Sequence, residues 1–189
     1  MSLISTFSKA ALFSAAFLSC TATAKEISGV DVSEQIKLAD TQLQLNGAGV
    51  RSKFFMDLYV GSLYLPSKAS DLQTVLTAPY AVVRLNITSG MITSEKMRDA
   101  IIDGFDDATD GDTKAIQVQI DTFMALFSNE IVEGDQFTFV TSKSKGVIAF
   151  KNEVEQASIA SEAFREALLK IWLGDSPAQN SLKKAMLAG

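Results

Sequence analysis

The sequence of 189 residues contains no histidine, and Cys20 is its only cysteine. Without histidine there is no base for Ser–His–Asp or Cys–His nucleophilic catalysis. Zinc, copper and haem sites that use His or Cys ligands are excluded because the ligands are missing. We therefore expect no cofactor and no metal, and any proton chemistry would fall to Asp, Glu, Lys, Tyr or water.

Positive charge is also scarce, with 17 basic against 22 acidic residues and a net charge of −5. This balance disfavours binding to nucleic acid or to an anionic membrane surface. Hydrophobic residues make up 47% and charged residues 21%, which is typical of a globular protein. The length suits one domain, and the sequence shows neither a repeat nor a linker rich in Pro, Gly or Ser.

Residues 1–24 are the only segment that resembles a targeting signal. Lys9 precedes an apolar run from Ala10 to Leu18, and Ala22-Thr23-Ala24 has the small-x-small form of a cleavage site. The run is too short to span a bilayer, which needs about 20 apolar residues. We predict a secretory signal, a periplasmic or secreted protein, and no stable membrane insertion after cleavage.

Cleavage after this signal leaves residues 25–189, which we predict to form a single domain. Two alternatives remain for the N-terminal segment. It could be a buried helix, or it could carry a lipid on Cys20, although Phe17-Leu18-Ser19 is a poor lipoprotein signal.

Apolar spacing predicts strands in adjacent groups with helices after them. The predicted strands cover residues 42–45, 53–65 and 80–88 and a hairpin of 137–150 that turns at Lys145-Gly146. The predicted helices cover residues 71–77, a segment that begins at Thr93 or Ser94, a segment through 116–127, and residues 161–173 and 180–187. This order indicates an α+β fold with an antiparallel sheet that has helices on one face.

Two motifs that suggest a ligand fail on inspection. Gly47-Ala48-Gly49 lacks the third glycine of a dinucleotide fingerprint and precedes a strand, so we interpret it as a tight connection or bulge. Five aspartates lie between Asp103 and Asp112, but a calcium-loop frame starting at Asp106 lacks its ligands at the third and twelfth positions. A solvated helix connection explains them better.

Arg51 is a stronger candidate, because it lies between the glycine-rich stretch and a strongly apolar segment. A guanidinium beside an apolar surface needs an anionic or polar partner. The spacing leaves open whether that partner is a carboxylate of the protein or of a ligand. Tyr64 is thirteen residues away, which places it on the opposite face of a regular strand unless a bulge intervenes; Gly61 could supply one.

Two segments together resemble the chalcone isomerase-like family. One is LQLNGAGVRSK at 43–53, continued by YVGSLYLP at 59–66, and the other is IWLGD at 171–175 with Pro177. The resemblance extends over nearly the whole chain after the signal. It implies an open-faced β-sandwich, in which a large antiparallel sheet is backed by helices and a ligand cleft lies between the two layers.

The family includes isomerases that close chalcones into flavanones, relatives that bind fatty acids without catalysis, and exported bacterial members of undefined role. By this resemblance Arg51 is the arginine that meets a phenolate or a carboxylate, and Tyr64 is its partner in the fatty-acid binders. Thr93 stands at the position of the catalytic tyrosine, Lys96 matches a lysine of the isomerases, and Ala100 replaces an asparagine. The water-polarising network of the isomerases is therefore incomplete, at an expected loss of about 3 kcal/mol of transition-state stabilisation for one such donor.

The resemblance thus predicts a non-catalytic protein that binds a small amphipathic carboxylate, most simply a fatty acid, through Arg51, Tyr64, Thr93 and Lys96. One alternative is an isomerase, or intramolecular lyase, that acts on a chalcone-like phenolic ligand. Another is an interaction module of the cell envelope with a vestigial cleft, in which Trp172 and the C-terminal helix present a surface to a partner.

Overall fold

The structure is a computed structural model that describes residues 24–188. The predicted signal segment, with Cys20, lies outside the described residues except for Ala24, where the first strand begins. The strands are β1 (Ala24–Ile27), β2 (Val30–Ser33), β3 (Gln35–Leu38), β4 (Thr41–Lys53), β5 (Met56–Leu65), β6 (Tyr80–Ile87), β7 (Gln136–Ser142), β8 (Gly146–Lys151) and β9 (Val154–Ile159). The helices are α1 (Leu72–Thr77), α2 (Ser94–Ala108), α3 (Gln117–Met124), α4 (Glu162–Leu173) and α5 (Asn180–Met186).

Strands β3 to β9 form one curled antiparallel sheet in which neighbours in sequence are neighbours in space. Strands β1 and β2 form a separate hairpin. The helices back the sheet, so the predicted α+β architecture of an open-faced sandwich is confirmed. Helix α2 begins as predicted, because the Thr93 side chain accepts a hydrogen bond from the backbone N–H of Lys96 at 3.2 Å. Ser161 caps α4 in the same way.

The sheet buries apolar side chains on both faces, but unequally. The helix face holds the larger core, which includes an aromatic group at its centre: Phe105, Phe123, Phe127, Phe139, Phe164 and Trp172. The opposite face carries a smaller cluster around Val60, Tyr64 and Val82, to which the β1–β2 hairpin contributes Val32. Alternate residues of β5 and β6 therefore belong to two different apolar layers.

The glycine-rich stretch contains the bulge, and not the tight connection, of the two forms predicted for it, because the register of β4 against β5 shifts between Leu45 and Gly47. Gly47 and Gly49 lie inside β4, and the turn to β5 falls at Phe54–Phe55, so the predicted strand of residues 53–65 was wrong at its start. The glycines allow helix α5 to pack closely against β4, since a Cβ atom on Gly47 would lie 2.1 Å from the carbonyl oxygen of Ala185. Only residues without side chains allow the helix to approach this closely.

Residues 24–188 contain neither a membrane-spanning helix nor a group of metal ligands. No helix in this part of the chain has both the length and the apolar character that crossing a membrane requires. Nor does this part contain three or more His, Cys, Asp or Glu side chains grouped so that they could hold a metal ion, and the aspartates at the end of α2 are no exception.

Candidate ligand cleft

A cleft of about 590 Å³ opens between the turn end of β4 and β5 on one side and helices α2 and α4 on the other. This volume lies within the range of roughly 300–1,000 Å³ typical of small-molecule sites. Its inner wall is apolar and is formed by Leu58, Leu85, Ile92, Met97, Ile101, Ile171 and Trp172. A hydrocarbon chain is the kind of ligand that such a wall accommodates.

Arg51 supplies the cleft with a half-buried cation. Its Nη1 donates a hydrogen bond to Oε1 of Gln179 at 3.2 Å, and the backbone N–H of Ser52 donates to the same oxygen at 2.9 Å. Within residues 24–188, no Asp or Glu forms an ion pair with Arg51. The guanidinium therefore has a neutral partner, and its charge is free to pair with an anion in the cleft.

Tyr59 lies directly across from Arg51 in the β4–β5 register and also lines the cleft. Its hydroxyl oxygen accepts a hydrogen bond from the indole N–H of Trp172 at 3.0 Å. Burial raises the pKa of the Tyr59 phenol, although the bond from Trp172 and the charge of Arg51 act in the opposite direction. Tyr59 is therefore neutral at physiological pH, and its hydroxyl hydrogen can be donated to an acceptor in the cleft.

The structure brings Lys96 to the cleft but not Thr93. Lys96 is exposed on α2, where its Nζ donates to the carbonyl oxygen of Met91 at 3.1 Å. Thr93 is the N-cap of that helix, and its side chain is engaged there and does not line the cleft. Ala100 does line it, so an apolar methyl group occupies the place for which the resemblance implied an amide.

Tyr64 is not a partner of Arg51, and the predicted pairing was wrong. Gly61 continues a regular strand, and the two irregularities between β4 and β5 fall at Leu45/Gly47 and Arg51/Ser52. The Tyr64 side chain therefore lies on the face of the sheet opposite to Arg51, where it is buried in the smaller cluster beneath Arg84.

Sequence reasoning missed Tyr59 and Gln179. Tyr59 lies opposite Arg51 because the chain turns at Phe54–Phe55 and the register shifts at Arg51/Ser52, and neither feature had a signal in the sequence. Gln179 gave no signal, since 128 residues separate it from Arg51.

The outer edge of the cleft is acidic. Asp99, Asp103 and Asp107 follow one another at helical spacing along α2, and all three are exposed. Water and salt screen charges at such positions. The cleft thus combines an apolar wall and a half-buried cation with a solvated acidic edge.

The sequence model described as chalcone isomerase-like matches residues 24–188. Among solved structures, the chain is similar to a fatty-acid binding protein of Arabidopsis thaliana, with a TM-score of 0.66 and 14% sequence identity over 87% of this chain and 95% of that chain. At this identity the likeness shows the fold. No curated protein matches the sequence.

Proposed function

The chain belongs to the chalcone isomerase-like family, and we propose that it binds a fatty acid or a similar amphipathic carboxylate in the cleft without transforming it. The hydrocarbon chain lies along the apolar wall between sheet and helices. Arg51 receives the carboxylate, and Tyr59 donates a second hydrogen bond to it.

The single observation that carries this proposal is that Arg51 has no anionic partner within residues 24–188. A cation beside an apolar wall is costly to bury unless an anion accompanies it. Within residues 24–188 no carboxylate pairs with it, and its side-chain partners, the Gln179 amide and the Tyr59 phenol, are both neutral. The Arabidopsis protein, which is a fatty-acid binding protein, has the same architecture and supports the choice of ligand.

The sole tryptophan of the chain provides the test. Trp172 lines the cleft and donates to Tyr59, so its emission reports on the cleft. We expect delipidated protein titrated with hexadecanoic acid to show a saturable change at one equivalent, and hexadecanol to bind more weakly because it carries no charge. An absence of any saturable change, or equal binding of acid and alcohol, would contradict the proposal.

Catalysis on a chalcone-like substrate remains the alternative, and no contact in the cleft favours it. Thr93 is committed to the cap of α2, and Ala100 offers no hydrogen bond. We expect that a chalcone mixed with an excess of the protein closes its ring no faster than it does spontaneously, as measured by absorbance. A protein-dependent rate that disappears in Lys96→Ala would establish the isomerase instead.

The third hypothesis, an interaction module, receives no support from Trp172. That side chain is only 1% exposed and packs against Phe139, so it presents no surface to a partner. We further propose that the protein acts in the periplasm or outside the cell, as the features of residues 1–24 indicate. Fractionation of cells that express the full chain tests this, since a protein found only in the cytoplasm with Met1 retained would contradict it.

A further inference from the structure

The tip of the β4–β5 hairpin is aromatic and exposed. Phe54 is 79% exposed, and Phe55 beside it is fully exposed. Both have positive φ angles, 50° and 67°, in the two-residue turn that joins Lys53 to Met56. Positive φ at both central positions defines a type I′ turn, which favours Asn-Gly and is strained for bulky residues.

Two other hairpins in the described chain make the same turn, and each has a glycine or an asparagine at one of the two central positions. The β1–β2 turn uses Ser28-Gly29, and the β8–β9 turn uses Asn152-Glu153. Only the hairpin at the cleft places two phenylalanines in this conformation. Of the three turns, this one alone has neither glycine nor asparagine, and its loss of stability and exposed apolar surface point to a function of that position.

The aromatic tip is continuous with the cleft. Phe54 and Met56 line the cleft, while Met91 lines it from the other side and is itself 44% exposed. Below the tip, the carboxylate of Asp57 accepts hydrogen bonds from the hydroxyls of Ser28 at 2.6 Å and Ser52 at 3.0 Å. These bonds connect the stem of the hairpin to the β1–β2 hairpin.

We propose that this tip docks the protein on a phospholipid bilayer, so that the cleft opens onto the membrane from which its ligand is taken or to which it is delivered. Phe55 and Phe54 enter the boundary between head groups and acyl chains, where aromatic side chains are favoured. Lys53, whose Nζ lies 5.7 Å from the centre of the Phe54 ring, is placed to meet a lipid phosphate.

A bilayer fits this surface better than a protein does, and this choice rests on the proposed function, because a fatty acid resides in a membrane. The tip is narrow and convex, whereas a stable protein interface buries about 800 Å² on each partner. The aspartates along α2 disfavour an anionic surface, so the expected bilayer is zwitterionic and the contact is mainly apolar.

Phe55 gives the clearest test, because it does not line the cleft. We expect wild-type protein to sediment with phosphatidylcholine vesicles, and Phe55→Gly to lower the partition coefficient about fivefold to tenfold. Phe55→Gly should also raise the melting temperature, since glycine suits the positive φ. Val118→Ser removes another exposed apolar side chain, away from the cleft, and should leave partitioning unchanged.

Phe55→Trp supplies an independent measurement. The new indole should shift its emission to the blue when vesicles are added and should be quenched by brominated lipid, while Trp172 stays buried. The proposal is overturned if wild type and Phe55→Gly partition alike, if neither partitions, or if the indole of Phe55→Trp remains in water. It is also overturned if lipid-free protein self-associates through Phe55. None of these measurements uses fatty acid, so a failure of cleft binding would appear separately, in the Trp172 titration.

Discussion

Strand β5 carries a tyrosine next to an arginine on each of its two faces. On the helix face, Tyr59 lies across from Arg51, and the pair lines the large cleft. On the opposite face, the guanidinium of Arg84 lies 5.7 Å from the centre of the Tyr64 ring, and its Nε donates to the Thr138 hydroxyl at 3.2 Å. The residue types are the same, so they do not by themselves make a ligand site.

The difference lies in what covers each pair. Arg51 lines, together with helices α2 and α4, a cleft of about 590 Å³ that has an apolar wall. The hollow beside Arg84 measures about 260 Å³ and is open on the sheet surface, with Lys37 and Glu153 at its edge. A guanidinium becomes a recognition group where the fold also supplies a place for the rest of the ligand.

The largest effect on ligand affinity should come from Arg51, and Arg84 is its matched control. Arg51→Ala should weaken the binding of hexadecanoic acid about 10- to 100-fold, because a hydrogen bond to a charged group contributes about 1.5–3 kcal/mol. Arg84→Ala should leave it unchanged. Titration of Trp172 emission measures both, and equal losses in the two variants would remove the distinction between the faces.

A carboxylate built in beside Arg51 should compete with the ligand. Gln179→Glu keeps the acceptor that Arg51 and the Ser52 N–H use, but adds a negative charge. We expect about tenfold weaker binding of hexadecanoic acid, since the charge-assisted contact is already taken. Hexadecanol serves as the control, because its binding should not change; a parallel loss for acid and alcohol would indicate a blocked cleft.

Removal of one hydroxyl should have a smaller effect. Tyr59→Phe deletes a donor to the ligand and should weaken acid binding by a few fold, about 1 kcal/mol. It also leaves the buried indole N–H of Trp172 without its acceptor, so the melting temperature should fall as well. Tyr64→Phe should leave the affinity unchanged, and a loss there as large as in Tyr59→Phe would revive the pairing of Arg51 with Tyr64.

The two tyrosines should contribute in the same direction to the pH dependence of folding stability. Burial raises the pKa of both phenols, so the folded state keeps protons that the unfolded chain releases above about pH 10. Stability should therefore fall as the pH rises beyond that value. Urea midpoints on either side of it test this, and each Tyr→Phe variant should flatten the decline; an unchanged midpoint would contradict the burial of both phenols.

Much of the fold could be predicted, because apolar periodicity and helix caps are local signals. Thr93 and Ser161 mark their helices, and the β7–β8 hairpin turns where its polar residues indicate. The short strands β1 to β3 and the edge strand β9 were missed, since β9 (Val154–Ile159) is mostly exposed and lacks a clear apolar face.

The site was harder to predict, because its geometry depends on contacts between distant residues. Glycines at 47 and 49 predicted a tight connection or a bulge, and the bulge is present, but the sequence did not show that α5 packs against β4 at these glycines. The true turn at Phe54–Phe55 escaped detection since its residues are unsuited to positive φ, and with that turn misplaced the strand faces of Tyr59 and Tyr64 could not be assigned. Arg51 and Lys96 could be placed at the cleft by resemblance alone.

The ionisation of a bound fatty acid tests the central claim most directly. Hexadecanoic acid labelled with ¹³C at the carboxyl group can be titrated by NMR while bound to the protein. If Arg51 receives the carboxylate, the pKa of the bound acid will lie below its usual range in wild type and in Arg84→Ala, and will rise in Arg51→Ala. A bound acid whose pKa is raised in wild type, or is unaffected by Arg51→Ala, would contradict the account.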